Sequence, residues 1–287
     1  MTRLPITKTP KVYVGGAFIR SESGRVRPLA DAAGQFVGHI PQCTRKDLRN
    51  AVEAAAKAGP GWSKRTGYNR GQILYRLAEM IEARTGELAD ALALGARGSR
   101  GAAAREVAAS VDRLVHYAGW TDKYEQILGS VNPVAGPYFN FTVTEPMGVV
   151  GILAPDKAPL LALISLIAPA IAAGNTVVAL ASEAHPYPAI VLGEMLATSD
   201  LPGGVVNLLT GQRKELVPTF ATHAHLRAIS GTASAAQRKE LETGAAASVK
   251  RIRLRPAEEP EDWYSPAVQG IEPLRALLEF KTTWHPV

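Results

Sequence analysis

Apolar residues recur at helical spacing through the first part of the chain and at strand spacing further on, and that change of period divides it. Val12-Tyr13-Val14 and Phe18-Ile19 flank Gly15-Gly16, and Ser23-Gly24 turns the chain again, so residues 11–27 read as a hairpin. Thr44 stands as the N-cap of a helix over 44–58, with Leu48, Val52 and Ala55 on one face and Gly59-Pro60-Gly61 as its stop. Ile73, Leu74, Leu77, Met80 and Ile81, then Leu88 and Leu92, form a stripe over 69–95 that Gly86 divides into two helices. Val107, Val111, Leu114, Val115 and Ala118 predict a further helix within 102–125.

Pro133, Gly136 and Pro137 then introduce an alternation. Phe139, Phe141 and Val143 share one side, and Tyr138, Asn140, Thr142 and Thr144 share the other, as in a half-exposed strand. From Gly148 strands and helices take turns. Val149 to Leu153 is a continuous apolar run, the mark of a strand buried on both faces. Further strands are predicted at 176–180, 205–209, 226–230 and 249–254, with helices at 160–173, 187–198, 214–222 and 232–243 between them. Short crossovers of this kind make an α/β fold, a doubly wound five-stranded parallel Rossmann-like sheet with N-terminal helices. Near the end, Leu278, Phe280, Thr282 and Trp284 alternate with Glu279, Lys281, Thr283 and His285, a strand with one apolar face.

Composition removes several classes. A chain of 287 residues with 46% hydrophobic residues buries a sizeable core and is not disordered. Its single cysteine, Cys43, makes no internal disulfide and reads as a small structural residue. The stretch from Val149 to Ala173 contains Pro155, Asp156, Lys157, Pro159 and Pro169, which argues against a membrane span, and Met1 to Val12 lacks the apolar core of a secretory leader. A cytoplasmic protein is expected. The net charge of +6 is scattered apart from Lys250, Arg251, Arg253 and Arg255, so no nucleic-acid partner is expected. Neither a G-x-G-x-x-G after the first buried strand, nor a P-loop, nor a nucleophile elbow occurs. His223 and His225 read as loop residues before the fourth strand rather than as metal ligands.

The order of residues along the sheet nevertheless resembles one family. Glu145-Pro146-Met147-Gly148-Val149-Val150-Gly151-Ile152, the run Ile167 to Val178 with its Ala173-Gly174-Asn175-Thr176, and Leu201-Pro202-Gly203-Gly204-Val205-Val206-Asn207 are similar to the cofactor domain of aldehyde dehydrogenases. Tyr117-Ala118-Gly119-Trp120 in the helical region and the strand within 270–287 look like the same family. The resemblance implies a cofactor-type domain from 1–130 and 146–255, with oligomerisation strands in 131–145 and 270–287. It also implies a chemistry: a cysteine thiolate attacks an aldehyde, an Asn amide holds the oxyanion, a glutamate is the base, and NAD takes the hydride.

The chain departs from that pattern at each step. Where the family carries the Asn, the segment reads Pro155-Asp156-Lys157-Ala158-Pro159, with Lys157 at the amide position. Arg255 stands at the place of the base, and a guanidinium takes no proton at neutral pH. The family inserts its cysteine-bearing domain between the fifth strand and the last. Here residues 256–269 form only a short connector, against the roughly 50 residues a domain needs. Of the ribose-binding pair Glu183 remains, with Leu180 in place of its lysine, and Ser234 opens the helix that would face a pyrophosphate. Both have plain structural roles open to them, a loop acid and an N-cap. The expectation is a non-catalytic family member without a bound cofactor or metal, partnered by a complete dehydrogenase subunit or by a second copy. Phe139, Phe141, Val143, Leu278, Phe280 and Trp284 are the expected contacts. The alternatives are a module that retains NAD binding for regulation, and a residual oxidoreductase. Arg251, Arg253 and Arg255 share one parity of the fifth strand, and that face is expected to be open or to meet a partner's acids.

Overall fold

The structure, a computed structural model, describes residues 8–95, 99–258 and 262–287. Two hairpins come first, β1 (Val12–Val14) with β2 (Ala17–Ile19) and β3 (Val26–Ala30) with β4 (Phe36–Pro41). The helices α1 (Arg45–Ser63), α2 (Gly67–Ala83), α3 (Thr85–Gly95) and α4 (Arg100–Ala118) follow, then α5 (Tyr124–Leu128), β5 (Ser130–Asn132) and β6 (Tyr138–Pro146). The alternating half runs β7 (Val149–Leu153), α6 (Pro159–Ala172), β8 (Thr176–Leu180), α7 (Tyr187–Leu196), β9 (Val206–Leu209), α8 (Arg213–Thr222), β10 (Leu226–Ala233), α9 (Ala235–Ala246) and β11 (Arg251–Pro256). A turn at Pro266–Val268 and α10 (Ile271–Arg275) lead to β12 (Leu278–Pro286).

The continuous apolar runs are the five parallel strands, in the order β11-β10-β7-β8-β9. The sheet has seven strands rather than the predicted five, because β1 adds antiparallel to β9 and carries β2 outside it. A glycine contact permits this. A Cβ on Gly16 would lie 2.9 Å from Gly203 Cα, and Asn207 Oδ1 accepts from Gly15 N at 2.8 Å. Helix α6 lies against the sheet and is buried all round, from Leu160 to Ala172, as an evenly apolar helix must be. Asn175 ties its exit down: Oδ1 accepts from Gly148 N, and Nδ2 donates to Leu277 O at 2.9 Å.

Several boundaries move for local reasons. Helix α1 runs through Gly59-Pro60-Gly61 to Ser63. The residue before a proline resists helix because its Cβ meets the ring, and Gly59 has no Cβ. Trp62 then anchors the last turn, fully buried, with Nε1 donating to Ile171 O at 3.0 Å. The predicted Thr44 cap is present, with its N–H donating to Asp47 Oδ2 at 2.7 Å. Helix α4 ends at Ala118 rather than near 125, and the α2–α3 break falls at Arg84, just before Gly86. Strand β10 extends to Ala233, so α9 starts at Ala235 rather than 232. Val249, expected to open the fifth strand, is exposed at positive φ, and β11 begins at Arg251. The hairpin β3–β4 has no counterpart in the predicted elements.

No helix among the described residues is long and apolar enough to cross a membrane. The small sheet has the order β12-β6-β5. Each of its long strands has one apolar side, as predicted, but the register separates those sides. Trp284 lies opposite Asn140 and Phe280 opposite Thr144, whereas Lys281 lies opposite Val143 and Thr283 opposite Phe141. Directly opposed residues share a face. Phe139, Phe141 and Val143 therefore line one face with Lys281, and Phe280 and Trp284 line the other with Asn140 and Thr144. Lys281 is thus not on a separate polar side. Its Nζ meets Glu145 Oε1 at 3.1 Å beside the aromatic stripe. Phe139, Val143, Phe280 and Trp284 are all exposed, while Leu278 is buried in the main core.

Candidate functional site

In a doubly wound sheet the ligand crevice lies beyond the carboxyl ends of the strands, where the strand order reverses. Here that point is between β7 and β10. A cleft of about 420 Å³ opens there, lined among others by Asp156, Lys157, Arg213, Ser234 and Trp263. Next to the lining residue Thr232, Gly231 lies at φ +133°, where a Cβ would lie 2.1 Å from Leu153 O, so only glycine lets β10 run this close to β7.

Arg213, from the start of α8, reaches across this crevice. Its guanidinium donates to Ala154 O at the end of β7 (2.5 Å) and to Thr232 O in β10 (2.6 Å). Burial lowers its pKa, opposed by the charges of Asp156 and Glu183. Glu183 holds the backbone of the same residue: Oε2 accepts from Arg213 N at 2.8 Å, so the carboxylate caps α8. The Glu183 carbonyl accepts from Arg27 Nη2 at 2.5 Å. Ser234 is the N-cap of α9 in a capping box with Gln237, its Oγ accepting from Gln237 N at 3.3 Å and its N donating to Gln237 Oε1 at 3.2 Å.

The segment after β7 is fixed from two sides. Asp156 Oδ1 accepts from Ser182 Oγ (2.6 Å) and Ala184 N (3.0 Å), which ties it to the end of β8. Lys157 is exposed at the rim. Ala158 takes the left-handed conformation at φ 49° and caps α6 without a side-chain acceptor. The acceptor comes from α4: Glu106 Oε1 receives Leu160 N at 2.8 Å and Leu161 N at 3.2 Å. Burial raises the Glu106 pKa, and these two N–H bonds oppose the rise. The sequence offers no local sign of this role, since carboxylate and helix end are 54 residues apart.

At the end of β11, Arg255 lies over the ring of Trp263, 5.1 Å from its centroid. Trp263 is buried, and its carbonyl accepts from Arg113 Nη2 at 3.0 Å. Residues 259–261 of the connector lie outside the described residues, but 262–277 pack back on the core through Trp263, Val268, Leu274 and Leu277. This changes the expectation for the three arginines. They are half-buried, and their face is covered by the chain itself rather than open. Arg251 donates to the carbonyls of Ala276 and Leu278 and pairs with Glu279, Arg255 stacks on Trp263, and Arg253 is engaged too. Cys43 is buried in the second core cluster beside Thr210, away from the cleft, and burial pushes its thiol up to about 12. His223 and His225 sit in the turn before β10, and the described residues hold no group of three or more metal-ligating side chains.

Seven mixed strands with this order, the helical lead-in and the small antiparallel sheet define an aldehyde-dehydrogenase-type cofactor fold. The chain belongs to the aldehyde dehydrogenase family, whose sequence profile matches residues 18–255. It is 34% identical over 253 residues to retinal dehydrogenase 2 of Mus musculus, covering 86% of this chain and 48% of that protein. To the putative aldehyde dehydrogenase DhaS of Bacillus subtilis it is 31% identical over 250 residues, covering 86% and 50%. The solved NAD+ complex of an aldehyde dehydrogenase from Bacillus cereus superposes with TM-score 0.82 at 27% identity, over 87% of this chain and 51% of that one. The chain thus spans about half the length of the curated relatives it matches.

Proposed function

We propose that this chain is a non-catalytic aldehyde dehydrogenase-type subunit, a structural or regulatory partner of a complete NAD(P)-dependent aldehyde dehydrogenase. One observation carries the reading. Between β11 and β12, where the resemblance puts the nucleophile's domain, the described chain makes a short strap that buries Trp263 under Arg255. Lys157 and Arg255 at the positions of the oxyanion donor and the base support it. So does Cys43, whose thiol stays protonated at neutral pH and is sealed in the core.

A dinucleotide fits the cleft poorly. Arg213 is stitched across the crevice between two strand ends, Glu183 is committed to the start of α8, and Ser234 is committed to Gln237. No cofactor-dependent step is assigned. The alternative, a nucleotide-binding regulatory module, draws on the cleft itself, which keeps a cationic rim at Lys157, and on the likeness to an NAD+ complex. Calorimetry separates the two readings: saturable NAD binding at micromolar concentration favours the second, and none at millimolar favours the first. Reduction of NAD by the purified chain with acetaldehyde, lost in Cys43→Ala, overturns both in favour of a working oxidoreductase.

For the partner, the small sheet supports docking on a complete subunit. It exposes apolar side chains on both faces, a surface that soluble monomers rarely leave open. A second copy pairing sheet to sheet is the competing assembly. Native mass spectrometry of this chain co-expressed with a complete dehydrogenase subunit reads the outcome directly. A mixed assembly that Trp284→Asp releases supports the proposal, and a mixed assembly untouched by that change removes Trp284 from the contact.

A further inference from the structure

At the opposite ends of the same strands lies a second cavity of about 500 Å³, where β7 and β8 begin. Its walls come from parts of the chain far apart in sequence: the last turn of α1, the entry to β7, and the turn between α8 and β10. Lys64, His225 and Arg227 stand on its rim, and among the described residues no carboxylate lines it. The side chains of Lys64 and Arg227 are exposed and make no hydrogen bond or ion pair among the described residues. The His225 ring lies against that of His223, with centroids 5.9 Å apart.

Behind the rim lie two further basic side chains, both shifted toward their neutral forms. Lys250 is buried, donates to Ser248 Oγ, and has its pKa lowered by burial and then by Arg227. Burial also lowers His223, helped by His225, Lys250 and Arg49 and opposed by Glu53. The floor is different in kind, with Ala56, Pro60, Pro146 and Val149. Lys64 and Arg227 place two positive charges on the rim of an apolar pocket, a setting that favours an anion between them. A guanidinium offers a planar fork that matches phosphate oxygens, and an ammonium adds a point charge. The volume is that of a small-molecule site.

We infer that this cleft binds a phosphate monoester with a small apolar body, the phosphate held by Lys64, Arg227 and His225 and the body lying on the Pro60 and Val149 floor. Its lining shares no residue with the crevice crossed by Arg213, so binding there is decided separately from the nucleotide question.

The test is an amide-resolved NMR titration of the intact chain with phenyl phosphate, with inorganic phosphate and benzyl alcohol as comparison ligands. The expected result is saturable shifts confined to 59–64, 146–149 and 224–227, with a dissociation constant below about 1 mM. Inorganic phosphate and benzyl alcohol should each bind at least roughly tenfold more weakly, since each makes half of the contacts. Arg227→Gln should weaken phenyl phosphate by about tenfold, the loss of one charge-assisted hydrogen bond. Lys64→Gln should weaken it further, and both side chains are exposed, so an unchanged circular dichroism spectrum certifies the fold. Shifts elsewhere, no saturation at roughly ten times the expected dissociation constant, inorganic phosphate binding as tightly as phenyl phosphate, or undiminished binding in the double variant each overturns the assignment.

Discussion

Glu106 is the most exacting place to test the reasoning, because one carboxylate organises the start of the most deeply buried helix. Pro159 has no N–H, and Ala158 offers no side-chain acceptor, so Leu160 and Leu161 carry the first free donors of α6. Both residues are fully buried, and both N–H groups go to Glu106 Oε1. Glu106→Ala leaves them without that acceptor. An orphaned buried donor costs about 1–3 kcal/mol, and some water reaches the half-buried site, so the loss should be about 2–4 kcal/mol. Glu106→Gln keeps an acceptor of the same shape. It gives up a charge at a helix N-terminus and is relieved of burying that charge, for a net change below about 1 kcal/mol. Urea unfolding followed by circular dichroism at pH 7 measures both. The pH dependence has a fixed sign. Burial raises the Glu106 pKa in the folded chain, so its contribution to stability is full below the ordinary carboxylate value and falls as pH rises through the folded value. The stability of the natural chain relative to Glu106→Gln should therefore grow as pH is lowered through that window. An alanine variant within 0.5 kcal/mol of the natural chain (about the scatter of neutral substitutions), or a glutamine variant as damaging as alanine, refutes the capping role.

Other outcomes follow from single contacts. Iodoacetamide should leave Cys43 unmodified in the folded chain at pH 8 and label it fully in urea, read by mass shift, because the thiol is buried with its pKa near 12. Trp263→Ala should cost about 3–5 kcal/mol in urea unfolding, the cost of emptying a large buried aromatic site. Lys281→Glu should change stability by less than about 1 kcal/mol, since its pair with Glu145 is exposed, and a larger loss would show that the pair does more than sit on the surface.

The parallel strands were legible because burial on both faces leaves an unbroken apolar run, as in Val149–Leu153 and Thr176–Leu180. Thr44 and Ser234 were legible as caps because a cap is local chemistry. What the sequence hid depends on pairs distant along the chain. Parity shows that β6 and β12 each have an apolar side, but only their register decides whether those sides coincide, and here they do not. Glu106 and Arg213 look like ordinary surface residues of helices until tertiary packing brings them to Leu160 and Thr232. The arginine face of β11 followed the same logic. Its parity was readable, whereas its cover, Trp263, comes from a segment with no regular pattern.

The pairing of β12 with β6 also orders events in time. Thr142 and Thr282 share a hydrogen bond across 140 residues, and closing so long a loop in an unfolded chain costs on the order of 4 kcal/mol in entropy. Once the parallel core has formed, Leu278 is already in place beneath it and Arg251 has gripped the carbonyls of Ala276 and Leu278, so β12 has only to zip along β6. The small sheet is therefore expected to form late, contingent on the core and quick once the core exists. Refolding should show the tryptophan environment of Trp62 settling before that of Trp284, and a lesion in the core should reach the exposed aromatic arm through Leu278.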